Sequence, residues 1–108
     1  MSIAVSWTEE LQTQLSKDGL VLVDFRAERC GPCRMLWPVL DQLQEKYEDK
    51  ITVVKVNVDD DANADISLKY SVRSIPQVTM FKWGEQVDQF IGVLPPVQIE
   101  EYITKHTA

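Results

Sequence analysis

A short apolar run followed at once by two closely spaced cysteines constrains the fold of this chain more than any other feature. Residues 20–23 and Phe25 are apolar, and the segment Cys30-Gly31-Pro32-Cys33 comes soon after them. A helical pattern of apolar residues opens downstream, at residues 35–37. Cysteines separated by two residues at a strand-to-helix junction are typical of a redox-active dithiol. The sequence therefore predicts that Cys30 and Cys33 cycle between dithiol and disulfide.

Two structural interpretations of the cysteine pair compete with exchange chemistry. As a staple, the pair closes a loop of only four residues, which stabilises a fold by about 2 kcal/mol, at the low end for disulfides. As half of a zinc site, the pair lacks two ligands, because the chain has no other cysteine and a single histidine, His106. The pattern favours exchange chemistry over both alternatives.

Length and composition predict one globular domain over residues 1–108. A chain of 108 residues, 44% of them hydrophobic and 26% charged, can bury a single core. The net charge of -6 argues against a nucleic-acid partner, because phosphate binding requires a basic face. We expect a monomer with no metal and no cofactor.

The sequence also predicts a cytoplasmic protein. Its first ten residues contain neither a basic segment nor an apolar core of about seven residues, so no signal peptide is expected. No apolar run approaches the length of a membrane span, so no membrane partner is expected either. Two cysteines that lie close together fit a reducing compartment, where dithiols cycle.

Hydrophobic periodicity predicts helices that alternate with strands. Helical spacing occurs over residues 7–17, 32–47 and 62–70 and again after Pro95, with Pro38 inside the second helix. Runs rich in β-branched residues predict strands over residues 20–25, 51–58, 78–81 and 87–91. Two charged residues, Asp24 and Lys55, interrupt the first two strands. The inner face of the last helix is expected to include Val97, Ile99, Tyr102 and Ile103.

The segments between the predicted helices and strands indicate a capped loop and a tight hairpin. Residues 59–61 are three aspartates, which we interpret as a solvated loop and helix cap rather than a metal site. Trp83-Gly84 predicts a tight hairpin in which Gly84 alone adopts a left-handed conformation, because tryptophan is a poor choice there. The element order predicts an α/β layered domain with a mixed sheet, and the Cys30 end of the long helix at the carboxyl edge of the first long strand.

The residues Val23-Asp24-Phe25, Cys30-Gly31-Pro32-Cys33 and Pro38 resemble the thioredoxin family, and the resemblance continues through residues 55–59, Ile75-Pro76 and Gly92. It implies a thioredoxin fold, a three-layer sandwich with a central mixed sheet of about five strands flanked by four helices. It also implies a cis peptide bond before Pro76 and dithiol-disulfide exchange with protein disulfides. A reductase, in this family usually a flavoprotein, would restore the dithiol.

Four positions depart from the family pattern. Arg26 and Arg29 stand where the family usually has tryptophan, Ser74 stands where glycine is common, and Trp37 stands where a small residue is frequent. We expect the two arginines to make the site electropositive on an acidic protein and so to alter its choice of partners. The predicted substrate-binding residues are Arg29, Gly31, Pro32, Ser74, Ile75, Pro76 and Gly92.

Catalytic roles are predicted for four residues. Cys30 precedes the first helical turn, where unpaired N–H groups stabilise a thiolate, so it is expected to attack, and the more enclosed Cys33 to resolve. Asp24 in a buried strand should have a raised pKa and exchange a proton with Cys33, with Lys55 nearby. A thioredoxin-fold docking module that uses the same surface is the alternative, but it has no need of Asp24 and Lys55.

Overall fold

The computed structural model describes residues 3–5, 14–15 and 19–108 of the chain. Its strands are β1 Ile3–Val5, β2 Leu20–Arg26, β3 Ile51–Asn57, β4 Gln77–Lys82 and β5 Glu85–Ile91. They form one mixed sheet in the order β1-β3-β2-β4-β5. Strand β3 is parallel to β1 and β2, whereas β4 is antiparallel to β2 and to β5. The mixed sheet and the four strands predicted from the sequence are confirmed.

Three α-helices lie in the described part of the chain. They are α1 Gly31–Lys46, α2 Ala64–Lys69 and α3 Pro96–Thr107, and a 3₁₀ turn, Asp61–Asn63, precedes α2. The helix predicted over residues 7–17 falls mostly outside the described residues, and the two of its positions that are described, 14 and 15, are helical. Four helices are therefore not shown. Among the described residues, no helix is long and apolar enough to cross a membrane.

Strand β2 lies in the middle of the sheet and is buried along its whole length. Successive side chains of a strand point to opposite faces. Leu22 accordingly packs in a cluster with α1 and α3, whereas Val23 packs in a second cluster with Ile66 of α2. Asp24 and Arg26 continue the row of Leu22, so this alternation places both polar side chains on the α1 side of the sheet.

Helix α1 buries one apolar stripe, in agreement with the helical spacing predicted over residues 32–47, and runs through Pro38 without interruption. The buried Gln44 joins its last turns to β3. The side-chain amide of Gln44 donates to the Ile51 carbonyl at 2.8 Å, and its carbonyl accepts from the Val53 N–H at 2.5 Å. These bonds and the stripe fix the helix over the sheet; the buried members of the stripe are Leu36, Leu40 and Leu43.

The three consecutive aspartates belong to a loop and a cap, as predicted. Asp60 is the N-cap of the 3₁₀ turn, and its carboxylate accepts from the Ala62 N–H at 3.0 Å. Asp61 opens that turn. Carboxylates at such a position satisfy N–H groups that have no partner within the helix.

The prediction for the hairpin between β4 and β5 is wrong. Both Trp83 (φ 56°) and Gly84 (φ 83°) have left-handed backbone conformations. Lys82 and Glu85 are paired across the hairpin, which leaves a two-residue connection. Such connections favour positive φ at both central residues, because that twist matches the twist of the strands. The geometry of the strands therefore overrides the preference of tryptophan.

The predicted inner face of α3 is wrong at one residue. Ile99 and Ile103 are buried, and Tyr102 packs partly buried against the core. Val97, however, is 61% exposed. Residues two apart on a helix are about 200° apart around its axis, so Val97 points away from the face that Ile99 occupies.

Candidate active site

The two cysteines lie where β2 gives way to α1, at the carboxyl edge of the sheet. The Cys30 N–H donates to the Ala27 carbonyl at 3.2 Å, which turns the chain from strand to helix. Pro32 then occupies the first turn of α1, where its missing N–H costs nothing and its fixed φ suits the helix. Cys30 and Cys33 form a disulfide with their Cα atoms 5.2 Å apart.

The environments of the two sulfur atoms differ. Cys30 is the N-cap residue of α1, and its Sγ accepts from the Cys33 N–H at 3.2 Å. Its residue exposure is 9%, whereas that of Cys33 is 0%. The predicted order of exposure is therefore confirmed. A helix N-terminus and a donated N–H both stabilise negative charge on a sulfur, and both act on Cys30.

A second loop approaches the disulfide, and a third loop is bonded to the second. Cys30 Sγ lies 3.9 Å from the carbonyl oxygen of Ile75, and the Ile75–Pro76 peptide bond is cis, as the resemblance implied. The Gly92 N–H donates to the Pro76 carbonyl at 2.8 Å, with Gly92 at φ 88°, a conformation that side chains disfavour. Ser74, just before Ile75, is exposed. Of the predicted substrate-binding residues, Ile75 thus lies next to Cys30, and the exposed Gly31 and Pro32 follow Cys30 directly in the chain.

Asp24 is fully buried, on the α1 side of β2. Its Oδ2 lies 3.5 Å from Nε of Arg26, and neither carboxylate oxygen makes a hydrogen bond to any group in the described residues. Burial raises the pKa of Asp24 to about 6, against the attraction of Arg26 and then of Lys55. The prediction of a raised pKa is confirmed in direction and in cause.

Lys55 lies on the strand next to Asp24, as predicted, but the cation in contact with the Asp24 carboxylate is Arg26. The two residues are register partners in β2 and β3. The Lys55 ammonium, however, lies 3.9 Å from Oδ1 of Asp41 on α1, and its side chain is 34% exposed. Register brings backbones together, but the long lysine side chain reaches beyond Asp24 to the helix.

Arg26 is almost wholly buried, so its predicted contribution to the charge of the site's surface is not confirmed. The residue is 8% exposed, and its guanidinium carbon lies 3.8 Å from the centroid of the Trp37 ring. Its other neighbour is the Asp24 carboxylate. Burial lowers the pKa of Arg26, and the negative charge of Asp24 opposes this effect.

Arg29 is exposed, as predicted, but its charge has a partner. Nε and one terminal nitrogen of Arg29 donate to the two carboxylate oxygens of Asp59 at 2.8 and 3.0 Å. Hydrogen bonding to Asp59 raises the pKa of Arg29. Each of the two arginines therefore faces a carboxylate, and the electropositive site that the sequence predicted is not confirmed.

Sequence reasoning missed Asp59 and Trp37 as the partners of Arg29 and Arg26. A signal for Asp59 was present, because Arg29 follows β2 and Asp59 follows β3, and the carboxyl ends of neighbouring parallel strands meet at one edge. A signal for the Asp24–Arg26 pair was the two-residue spacing, which places both side chains on one face of a strand. No sequence signal identified the ring on which Arg26 stacks.

The mixed sheet, and a disulfide between cysteines at a helix N-terminus beside a buried carboxyl group, define a thiol-disulfide oxidoreductase. The thioredoxin family profile matches residues 2–105. Thioredoxin 1 of Nostoc sp. is 44% identical over 108 residues, which cover 98% of this chain and 99% of that protein. The thioredoxin of Porphyra purpurea is 47% identical over 95 residues, 88% of this chain and 87% of that protein.

Solved structures agree with the sequence relatives. A mutant thioredoxin from Halobacterium salinarum has a TM-score of 0.91 at 34% identity and covers 99% of this chain and 91% of its own. The chain belongs to the thioredoxin family. It is a protein-disulfide reductase, so disulfide-bonded proteins are its substrates and a reductase returns it to the dithiol form.

Proposed function

We propose that the protein transfers two electrons to a substrate disulfide in two exchange steps. The Cys30 thiolate attacks one sulfur of the substrate, forms a mixed disulfide and expels the other substrate sulfur as a thiolate. Cys33 then loses its proton and attacks Cys30 Sγ, which forms the Cys30–Cys33 disulfide and releases the second substrate thiolate. The substrate disulfide is reduced and the dithiol is oxidised.

The position of Cys30 carries this assignment. Its sulfur accepts an N–H bond at the first turn of α1 and is the more exposed of the two. A thiolate is the nucleophile in disulfide exchange, so stabilising the thiolate at an accessible sulfur favours attack by Cys30. Cys33, with no exposure, is suited to attack a sulfur already bonded within the site.

We infer that Asp24 accepts the proton that Cys33 loses. A carboxyl group with a pKa of about 6 is ionised at neutral pH and still basic enough to take a proton from a thiol. Its row on β2 faces α1, the helix that carries Cys33. Lys55 contributes attraction from the neighbouring strand and helps to keep the carboxyl group ionised.

The proposed docking surface surrounds Cys30. Gly31 and Pro32 lie on one side, the loop of Ser74, Ile75 and Pro76 lies on another, and Gly92 is bonded to that loop. Arg29 and its partner Asp59 add an exposed ion pair where the family usually has an indole. Docking should therefore rely less on apolar contact and respond more to salt.

The remaining proposals concern the setting of the reaction. The protein acts as a cytoplasmic monomer over a single domain, residues 1–108. A flavoprotein reductase is the proposed recycling partner. The negative net charge of -6 supports the absence of nucleic acid among its partners.

A disulfide reduction assay on insulin tests the two-step proposal. The parent should turn over repeatedly with a small dithiol as electron source, and Cys30→Ser should be inactive. Cys33→Ser should form a mixed disulfide through Cys30 that accumulates in equal amount to the enzyme, which mass spectrometry detects. A Cys30→Ser variant that retains turnover would overturn the assignment. If the parent protein itself were inactive, the result would favour a docking module.

A further inference from the structure

Arg26 occupies an unusual environment for an arginine, between a buried carboxylate and an aromatic ring. Its Nε lies 3.5 Å from Asp24 Oδ2, and its guanidinium carbon lies 3.8 Å from the centre of Trp37. Only 8% of the residue is exposed. Arginines are almost never buried unless they are paired, so this position makes Arg26 and Asp24 depend on each other.

We propose that Arg26 is a positioning residue that keeps Asp24 ionised in the working pH range and so sets the pH above which Asp24 accepts the Cys33 proton. This inference rests on the proton-transfer role proposed for Asp24. Trp37 holds the guanidinium plane in place by stacking, which fixes the charge next to the carboxylate. Arg26 acts through Asp24 and does not itself take part in the exchange of sulfur atoms.

The groups that face Asp24 single out Arg26 as the dominant cation. Strand β3 contributes Lys55, whose ammonium is partly exposed and lies close to Asp41 of α1. Strand β4 contributes the apolar Val78 opposite Asp24. Among the residues that the structure describes, Arg26 alone combines a nearly complete burial with a direct approach to the carboxylate. Attraction between charges grows as distance and solvent screening decrease.

The same contact has a consequence for the reaction cycle. While Asp24 is ionised, Arg26 has a counter-ion on its own strand. When Asp24 takes the proton from Cys33, the buried guanidinium loses that counter-ion, which is unfavourable in a site with little water. Arg26 therefore also favours the release of that proton from Asp24, to the departing substrate thiolate or to solvent, once the disulfide has formed.

Carbon-13 NMR titration of the Asp24 carboxyl carbon in the reduced protein tests the inference. Arg26→Met, which keeps an aliphatic stem and removes the charge, should raise the pKa of Asp24 by about 1 to 3 units. Lys55→Met should raise it by less, and Arg26→Lys should recover part of the shift. Lys69→Gln, an exposed charge removed from α2 on the opposite side of the sheet, should leave the pKa unchanged.

A second readout separates this inference from the proposed role of Asp24. The rate at which Cys33 attacks the mixed disulfide can be measured in single turnover as a function of pH. In Arg26→Met, the inflection of this pH profile should move by the same amount as the pKa of Asp24. In an Asp24→Asn background, Arg26→Met should move no inflection. A moved pKa with an unmoved profile would contradict the role of Asp24 and leave the effect of Arg26 on its ionisation intact.

The inference is overturned if neutral variants of Arg26 leave the pKa of Asp24 in place, or if Lys55→Met shifts it more than Arg26→Met does. Near-ultraviolet circular dichroism verifies that each variant is folded. Arg26→Gln serves as a second neutral variant if Arg26→Met does not fold. Asp41→Asn adds an independent test on an exposed residue, because removing this negative charge should lower the pKa of Asp24.

Discussion

At the scale of single residues, Asp24 shows how a buried carboxyl group links stability to chemistry. Burial raises its pKa from 3.8 to about 6. The folded state therefore binds a proton more tightly than the unfolded state, and its stability falls as pH rises from about 4 through 6. Two pKa units correspond to about 3 kcal/mol, which the protein loses at neutral pH in order to hold an ionised carboxylate in its interior.

Asp24→Asn should remove this cost. Chemical denaturation from pH 4 to 8 should find the variant more stable than the parent by up to about 3 kcal/mol above pH 6, with the gain vanishing near pH 4. Asp49→Asn, at an exposed carboxylate, is the control and should show no such trend. The variant should also reduce disulfides more slowly near neutral pH. Equal stability of variant and parent at pH 7 to 8 would contradict a raised pKa.

The sequence predicted that Asp24 would be buried and that its pKa would be raised, because a carboxyl group inside an apolar strand loses its hydration. It did not predict which cation would lie nearest. It placed Lys55 near Asp24 and did not identify Arg26 as the contacting cation, because the reach of long side chains depends on neighbours such as Trp37 and Asp41. The face of the sheet on which a strand residue lies follows from period-two alternation. The location of the charged group of an arginine or lysine does not follow from it.

At the scale of elements, four of the five strands and the three α-helices of the described residues followed from sequence patterns, whereas the short edge strand β1 and the conformation of the hairpin did not. Strand β2 and the stripe of α1 have patterns long enough to determine their buried faces. The conformation of the turn instead follows from the pairing of Lys82 with Glu85, which the local sequence does not reveal. Tryptophan at φ 56° is consequently a strained residue in an exposed position.

Replacing that tryptophan tests the strain. Trp83→Asn should raise the free energy of unfolding by about 1 kcal/mol, because asparagine tolerates left-handed backbone conformations better than tryptophan does. Urea denaturation measures the change, and Gln86→Asn, on an exposed strand position next to the turn, is the matched control. A loss of stability in Trp83→Asn would mean that the exposed ring contributes more than the strain costs.

At the scale of the whole molecule, the electrostatic field around the site depends on ion pairs rather than on net charge. The chain has a net charge of -6, yet Arg29 and Asp59 stand beside Cys30 as an ion pair with opposed fields. Removing one member should shift the pKa of Cys30, and removing both should shift it much less. Paired charges of this kind change local electrostatics little while they remain together.

Three variants test this arrangement. Arg29→Trp should raise the pKa of Cys30, Asp59→Asn should lower it, and the double variant should return towards the parent. Thiolate absorbance at 240 nm during a pH titration of the reduced protein supplies the measurement. Arg29→Trp should also make insulin reduction less sensitive to salt. Shifts of the same sign in the two single variants would contradict the pairing.

The central claim, that Cys30 is the attacking thiolate, is tested most directly by alkylation of the reduced protein with iodoacetamide, followed by peptide mapping across pH 5 to 9. The position of Cys30 at the helix N-terminus predicts that it is labelled first, with an apparent pKa below the ordinary thiol value of about 8.5, while Cys33 stays protected in the folded protein. Faster labelling of Cys33, or an ordinary pKa for Cys30, would contradict the account.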